Sequence, residues 1–305
     1  MKLGAIDIGS NAIRFQITNV IDYNGVITFK KVEYVRFPLR LGQDVFKYSR
    51  IMEASETKFV KLMATFKMFL DLYEVDDYMF CATSAMRESV NGKQIAERVK
   101  KEVGVDIEII DGDREAEIIN KVIFKNLDER SYIHIDVGGG STELNLIVGK
   151  EKIAAQSFKI GSVRRLGGDD SPKEWERMKE WVDKEVSIFM RPMIAIGTGG
   201  NISKLYELAN LPKVKSEVAK INIHNIEEVR KELARHTLEE RINLLMLNPD
   251  RADVILPACD IYMSVMKWAS AKDIIVPDVG LKDGLLQLLY ERQIKKSKSK
   301  REPLF

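Results

Sequence analysis

Apolar and polar positions along this chain switch between a period of two and a period near 3.6, and the switches come in the same order twice. Alternating, β-branched runs at 2–8, 12–19 and 26–36 predict a meander of three strands, and the stretch 131–158 predicts another. After the first meander, Phe59, Leu62, Met63, Phe66 and Leu70 recur at helical spacing. They predict a helix over 55–73 with that stripe in the core. A strand at 78–82, a helix at 93–103, a strand at 105–110 and a helix beginning at Asp113 complete the first half. In the second half, Ser171-Pro172-Lys173-Glu174 reads as a capping box with proline in the first turn, and Trp175, Met178, Trp181 and Phe189 form the stripe to be buried. A strand over 193–196 runs into Gly197-Thr198-Gly199-Gly200-Asn201 and a further helix. Helices follow at 226–235, behind a second capping box at Thr237 to Glu240, and in one long span over 249–269. A strand at 274–276 and a turn at Gly280 to Gly284 lead into the last helix.

The repeated meander carries a repeated turn. Ile6-Asp7-Ile8-Gly9-Ser10-Asn11-Ala12-Ile13-Arg14-Phe15 reappears as Ile135-Asp136-Val137-Gly138-Gly139-Gly140-Ser141-Thr142-Glu143-Leu144. In register, Asp7 lies over Asp136, Gly9 over Gly138 and Arg14 over Glu143. A small-residue turn between apolar strands brings backbone N–H groups close to phosphate oxygens, because glycine adds no Cβ. Ser10, Asn11, Ser141 and Thr142 add side-chain donors. An aspartate ending the first strand would repel a phosphate, so its natural task is to hold a divalent cation that bridges to one. A duplicated turn implies a duplicated domain, with a cleft between the copies.

Composition narrows the picture. At 305 residues the chain exceeds the length at which one core usually divides, so two domains are expected, 1–125 and 126–305. The last helix has the option of packing back on the first. A formal charge of +2 argues against a dedicated duplex-binding protein. Cys81 and Cys259 stand outside any zinc or redox spacing, which points to a reducing compartment. The amino terminus meets Asp7 too soon for a signal-peptide core, and no apolar run suits a membrane span, so the cytoplasm is the expected address and no membrane partner is foreseen. A P-loop is excluded by its missing motif, and Asp111 to Val122 fails as a calcium loop because Ala116 stands where glycine is required. His134, between Ile133 and Ile135, reads as a structural histidine, and Lys295, Lys296, Lys298, Lys300 and Arg301 as a solvated basic tail. Helices at 249–269 and 282–294 have apolar faces that suit either their own domain or a homodimer.

The motifs Asp7-Ile-Gly-Ser-Asn11, Ala82-Thr-Ser-Ala-Met-Arg87, Gly112-Asp-Arg-Glu-Ala116, Asp136-Val-Gly-Gly-Gly-Ser-Thr-Glu143, Gly197-Thr-Gly-Gly200 and Ile255-Leu-Pro-Ala258 stand in one order along the chain. Together they resemble the exopolyphosphatase and guanosine pentaphosphate phosphohydrolase family. The resemblance implies an α/β, duplicated actin-like, ribonuclease H-like fold, and magnesium-assisted hydrolysis of a terminal phosphoanhydride bond. It implies Glu115 as the group that orients and deprotonates water, while Glu117 points to another helix face. Asp136 and Glu143, with Asp7 as a third oxygen donor, would bind Mg2+. Gly9, Ser10, Asn11, Arg14, Ser84, Arg87, Gly138, Gly139, Gly140, Ser141, Thr142, Gly199 and Gly200 would hold phosphate, the arginines through paired contacts. Inorganic polyphosphate is the expected substrate, guanosine pentaphosphate the runner-up, and a non-catalytic alarmone sensor or a sugar kinase more distant readings. Departures such as Ala12 and Asn201 bear on phosphate affinity and chain-length preference. The chain stops at Phe305 without the helical domains appended in longer members, so a short form without long-chain processivity is expected.

Overall fold

The apolar alternation of the first meander becomes a ladder in which β1 (Lys2–Ile8) pairs antiparallel with β2 (Ile13–Tyr23), and β2 with β3 (Val26–Phe37). The structure, a computed structural model, describes residues 1–124, 127–168, 171–188, 193–211 and 219–299. The chain continues through α1 (Leu41–Tyr48), α2 (Glu53–Leu72), β4 (Asp77–Ala82), α3 (Ser84–Glu88), α4 (Gly92–Val103), β5 (Ile107–Ile109) and α5 (Gly112–Ile123). The second meander is β6 (Ser131–Val137), β7 (Thr142–Val148) and β8 (Glu151–Phe158). After it come α6 (Ser162–Leu166), α7 (Pro172–Val186), β9 (Ile194–Thr198), α8 (Gly200–Leu208), β10 (Lys220–Asn222), α9 (Ile223–Arg235), α10 (Leu238–Asn243), α11 (Pro249–Ala252), α12 (Ile255–Trp268), β11 (Asp273–Ile275) and α13 (Leu281–Ser299).

The sheets share one order. The first runs β3-β2-β1-β4-β5, with β4 parallel to β1 and β5 parallel to β4. The second runs β8-β7-β6-β9-β11, with the same senses, and adds β10 antiparallel at its edge. This twice-used order, an antiparallel meander extended by parallel strands, is the duplicated ribonuclease H-like, actin-like α/β fold expected from the sequence.

One compact unit is Met1–Val122 together with α13, and the other is Ile123–Val279. In the first unit β1 is buried along almost its whole length and needs cover on both faces. On one face α2 places Phe59, Met63 and Phe66 in the core, where Phe66 stacks on Phe15 at 4.7 Å between ring centroids. Against the first sheet also lies α13, which contacts β1, β2 and β4. It is tied down by Arg292, whose guanidinium donates to Asp77 at 2.6 and 2.9 Å, and by the ring contact of Tyr290 with Phe29. Residues 280–299, whose place the sequence left open between the two domains, belong with the first unit. In the second unit α12 buries Ile255, Ala258, Ile261, Tyr262, Val265 and Met266, so its apolar face is spent within its own unit.

Several elements depart from expectation for identifiable reasons. Pro257 can give no N–H to Asp253, and the span expected as one helix is broken there into α11 and α12. At the start of α7 the Ser171 hydroxyl accepts from the Glu174 N–H, but the Glu174 carboxylate turns to the Lys159 N–H instead of closing the box. The box at Thr237 and Glu240 is complete. The short elements α1, α3, α6 and β10 carry too few residues for a period to show. Phe189, Lys300 and Arg301 lie outside the described residues, as does the side chain of Lys298. No helix among the described residues is long and apolar enough to cross a membrane.

Candidate active site

The first turn, Gly9 to Ala12, is shaped from behind. The Ser10 carbonyl accepts from the Gly42 N–H at 2.8 Å, and the Asn11 carbonyl accepts from the Arg40 N–H at 3.0 Å. A trans peptide carries its C=O and N–H on opposite sides, so tying these carbonyls to the segment before α1 turns the Asn11 and Ala12 N–H groups the other way. Arg40 adopts a left-handed conformation with φ of 59° to make this approach. The hydroxyls of Ser10 and Ser84 share a hydrogen bond at 2.7 Å, joining the turn to the start of α3. Asp7 is only 5% exposed, and its Oδ2 accepts from Arg14 Nη1 at 2.7 Å across the ladder. A Cβ placed on Gly9 would stand 3.7 Å from Arg14 Nη1, so this guanidinium lies against the turn itself. Arg87 sits on α3 and donates to the Ile110 carbonyl at 2.6 Å, linking that helix to the chain leading into α5.

The second turn repeats the device with more bonds. The Gly138 carbonyl accepts from the Ser162 N–H at 3.0 Å and the Ser162 hydroxyl at 3.2 Å. That of Gly139 accepts from the Val163 and Arg164 N–H groups at 2.8 and 2.9 Å, and that of Gly140 from Arg164 Nε at 2.7 Å. With these three carbonyls held against α6, the N–H groups of Gly139, Gly140 and Ser141 face the opposite side, a row of donors suited to an anion. Arg164 is 5% exposed, so its charge lies beneath the turn. Gly161 makes the contact possible, because a Cβ there would be 2.4 Å from the Gly139 carbonyl oxygen. Thr142 differs from expectation: its hydroxyl donates to the Ile160 carbonyl at 2.6 Å and so serves the fold instead of a phosphate.

Beside this turn, Asp136 and Glu143 are direct cross-strand partners and offer carboxylate oxygens within 4.8 Å of each other. Glu143 is 2% exposed and accepts from the Ser157 hydroxyl at 2.9 Å, which fixes its orientation. Like charges opposed across a ladder are costly. Two hard carboxylates so placed fit Mg2+, which takes carboxylate oxygens and keeps its remaining positions for water and phosphate. Gly199, with φ of +94°, lets the turn after β9 close on this pair: a Cβ there would be 3.2 Å from Asp136 Oδ1. The Gly200 carbonyl accepts from Arg251 Nη1.

Glu115 occupies the first turn of α5, half-buried, with its N–H donating to the Asp111 carbonyl at 3.0 Å. Glu117 is exposed and pairs with Arg114 at 2.7 Å, so the two glutamates face different surroundings. His134 lies in the sheet below the second turn. Asn145 Nδ2 donates to its Nδ1 at 3.0 Å, which leaves Nε2–H to donate to Thr198 Oγ1 at 2.8 Å. Burial lowers its pKa to about 3, so it is a neutral structural residue. Tyr262 completes the support by donating to the Thr198 carbonyl at 2.7 Å; burial and then Asp136 raise its pKa well above the ordinary value.

Sequence reading missed the supports: Arg40 and Gly42 under the first turn, Gly161, Ser162 and Arg164 under the second. A signal existed, since each meander is followed within a few residues by a glycine, Gly42 or Gly161.

Comparison with known proteins agrees with this anatomy. The sequence pattern of the Ppx/GppA phosphatase family matches residues 20–292. The chain is 29% identical over 310 aligned positions to a bifunctional 3-dehydroquinate synthase/phosphatase of Fusobacterium nucleatum, covering 94% of this chain but only 46% of that longer protein. It is 24% identical to exopolyphosphatase 1 of Mycobacterium leprae, covering 94% of this chain and 88% of the relative. Among solved structures, an exopolyphosphatase from Cytophaga hutchinsonii superposes with a TM-score of 0.83 at 25% identity, over 96% of this chain and 98% of that one. A Ppx/GppA family member from Aquifex aeolicus gives 0.73 at 26% identity, over 97% and 98%. With its paired glycine turns, its opposed carboxylates and a match along most of its length, the chain belongs to the Ppx/GppA phosphatase family.

Proposed function

We propose that the protein hydrolyses the terminal phosphoanhydride bond of inorganic polyphosphate and releases orthophosphate with Mg2+. The observation that carries this reading is the second turn: three N–H groups turned outward by tied-back carbonyls, beside two carboxylates set across from one another. Donors for an anion next to ligands for a hard cation suit a metal-bound phosphate chain better than either group alone. Magnesium held by Asp136 and Glu143 would spread the charge of the phosphate oxygens. The turns at Gly9 to Ala12 and Gly138 to Ser141 orient the phosphates, and Arg14 grips an oxygen while its ion pair with Asp7 holds the guanidinium in place. Glu115 takes a proton from the attacking water as the new P–O bond forms; the bond to the rest of the chain breaks, and the shortened polyphosphate leaves with the electron pair. Exopolyphosphatases among the relatives support this choice of substrate.

The test is phosphate release from polyphosphate by purified protein, with and without Mg2+. Wild-type protein should release phosphate only with the metal, and Glu115→Gln should lower kcat by roughly 10²–10⁴. An unchanged rate in that variant removes the assigned base. A large kcat/KM ratio in favour of guanosine pentaphosphate, measured with both substrates together, replaces the substrate.

A further inference from the structure

A row of side chains crosses the second sheet beside its glycine turn. Asp136 on β6 faces Glu143 on β7, and Glu143 faces Ser157 on β8. Direct partners in an antiparallel ladder project from the same face with Cβ atoms about 5 Å apart, which brings the half-buried Ser157 within reach of the carboxylate; its hydroxyl donates to Glu143 Oε1 at 2.9 Å. The row lies clear of the irregularity in the β7–β8 ladder, which falls between Leu146 and Ile147. Ser157 is itself held by α7. Arg177 Nη2 donates to the Ser157 carbonyl at 3.0 Å and to Glu174 Oε2 at 2.9 Å, and that same carboxylate oxygen accepts from the Lys159 N–H at 3.1 Å. Between these two bonds the Arg177 guanidinium lies 4.8 Å from the ring centroid of Phe158. The end of β8 is clamped, and the hydroxyl is presented from a fixed backbone. The matching row of the first sheet is Asp7, Arg14 and Arg36, with neither a hydroxyl nor opposed carboxylates, so the serine accompanies the acidic pair.

We propose that Ser157 is a positioning residue for the metal: its hydroxyl holds the Glu143 carboxylate in the orientation that takes Mg2+, and so sets how tightly the ion binds before any phosphate arrives. This rests on the reading above in which Asp136 and Glu143 take Mg2+. A glutamate side chain loses rotamer freedom when it becomes a ligand. A carboxylate already fixed by a donor has lost part of that freedom on folding, so less is lost when the ion binds. The hydroxyl is also neutral, and it orients the carboxylate without setting a second positive charge against the cation, as a lysine or arginine at this place would. Ser157 acts through Glu143 and need not be the only group that holds it.

Magnesium chloride titrated into substrate-free protein, followed by calorimetry, tests this without relying on turnover, with Glu143→Gln marking which binding belongs to the acidic pair. Wild-type protein should bind Mg2+, and Glu143→Gln should lose that binding. Ser157→Ala should weaken it about 10- to 100-fold, the loss typical of removing a group that orients a metal ligand. Ser157→Thr, which keeps the hydroxyl in a residue suited to a strand, should recover most of the affinity. In phosphate release from polyphosphate, Ser157→Ala should raise the Mg2+ concentration giving half the maximal rate by the same factor, and excess Mg2+ should restore most of the rate. An unchanged Mg2+ affinity in Ser157→Ala, an equal loss in Ser157→Ala and Ser157→Thr, or no binding by substrate-free wild type overturns the assignment. Should Ser157→Ala lower the melting temperature, Ser157→Cys keeps the volume with only a weak donor and should show the same loss of affinity. Failure of the parent reading looks different: wild-type protein would then release no phosphate from polyphosphate at any Mg2+ concentration.

Discussion

In the first unit Asp7 faces Arg14 across the β1–β2 ladder and bonds to it at 2.7 Å; at the matching place in the second unit, Asp136 faces Glu143. The backbones behind these residues follow one plan. Each turn has its carbonyls tied to the segment after its third strand, through Arg40 and Gly42 in one case and Ser162, Val163 and Arg164 in the other. Duplication has preserved the device that turns N–H groups outward, while the residue across from the aspartate has diverged in sign. On the function proposed above, the first turn would grip an anion with its own built-in charge compensation, whereas the second would take a cation. One scaffold would then serve two tasks, the task residing in one cross-strand partner.

Imposing the first pattern on the second turn should have the largest effect. Glu143→Arg would set an opposite charge against Asp136 and remove one of the two proposed metal ligands, and polyphosphate hydrolysis should fall by about 10³-fold or more while Mg2+ no longer stimulates it. The fold should survive, because the like-charged pair becomes an ion pair of the kind seen at Asp7 and Arg14. Phosphate release across a magnesium titration, with the melting temperature recorded alongside, is the check. Retained magnesium stimulation would break the contrast between the turns.

A smaller effect separates the two supports. A Cβ at Gly161 would meet the backbone of Gly139 and Gly140 at 2.4 to 2.5 Å, whereas at Gly42 the nearest atom, at 2.6 Å, is on the Phe46 side chain, and the nearest backbone atom, the Ser10 carbonyl oxygen, is at 3.1 Å. Gly161→Ala should displace the second turn by a fraction of an ångström and cost roughly 10- to 100-fold in kcat/KM. Gly42→Ala should cost only a few-fold. Arg164→Ala should fall near Gly161→Ala, because it removes the Nε–H bond to the Gly140 carbonyl, and Arg164→Lys should restore little, since a lysine ammonium cannot reproduce the Nε geometry. Equal losses at Gly42 and Gly161 would show that the two turns depend alike on their supports.

Much of this was legible in the sequence because it is periodic or repeated. The meanders, the stripe Phe59 to Leu70 and the equivalence of Arg14 and Glu143 in the two copies are all properties of spacing, and the structure places them as spacing predicts. What escaped is held by contacts between residues distant in sequence. Nothing local marks Arg164 as the residue that reaches the Gly140 carbonyl, or Ile160 as the partner of the Thr142 hydroxyl. The place of α13 was open for a related reason: an apolar helix face states that it must be covered, but not by which sheet. The bond between Arg292 and Asp77 decides it.

The smallest predicted effect concerns the cores beneath the turns. His134, Asn145 and Thr198 form a buried hydrogen-bonded set in the second sheet, where the corresponding positions of the first are Ala5, Gln16 and Cys81. The pKa of His134 falls from 6.5 to about 3 on folding, so between these values the unfolded chain binds the proton and the folded one does not. Stability from this residue is therefore complete above about pH 6.5 and is lost as pH falls toward 3, by about 1.4 kcal/mol per unit. Trp175, Trp181 and Trp268 all lie in the second unit, so tryptophan fluorescence during urea unfolding reports on that unit. Between pH 7 and pH 5 the wild-type second unit should lose on the order of 2 kcal/mol, and His134→Gln, whose amide can still meet Asn145 and Thr198 without titrating, should lose clearly less. Parallel pH profiles for the two proteins would mean that the imidazole is not held neutral, and the contrast between a sheet core with a histidine and one with Ala5 in its place would lose its energetic content.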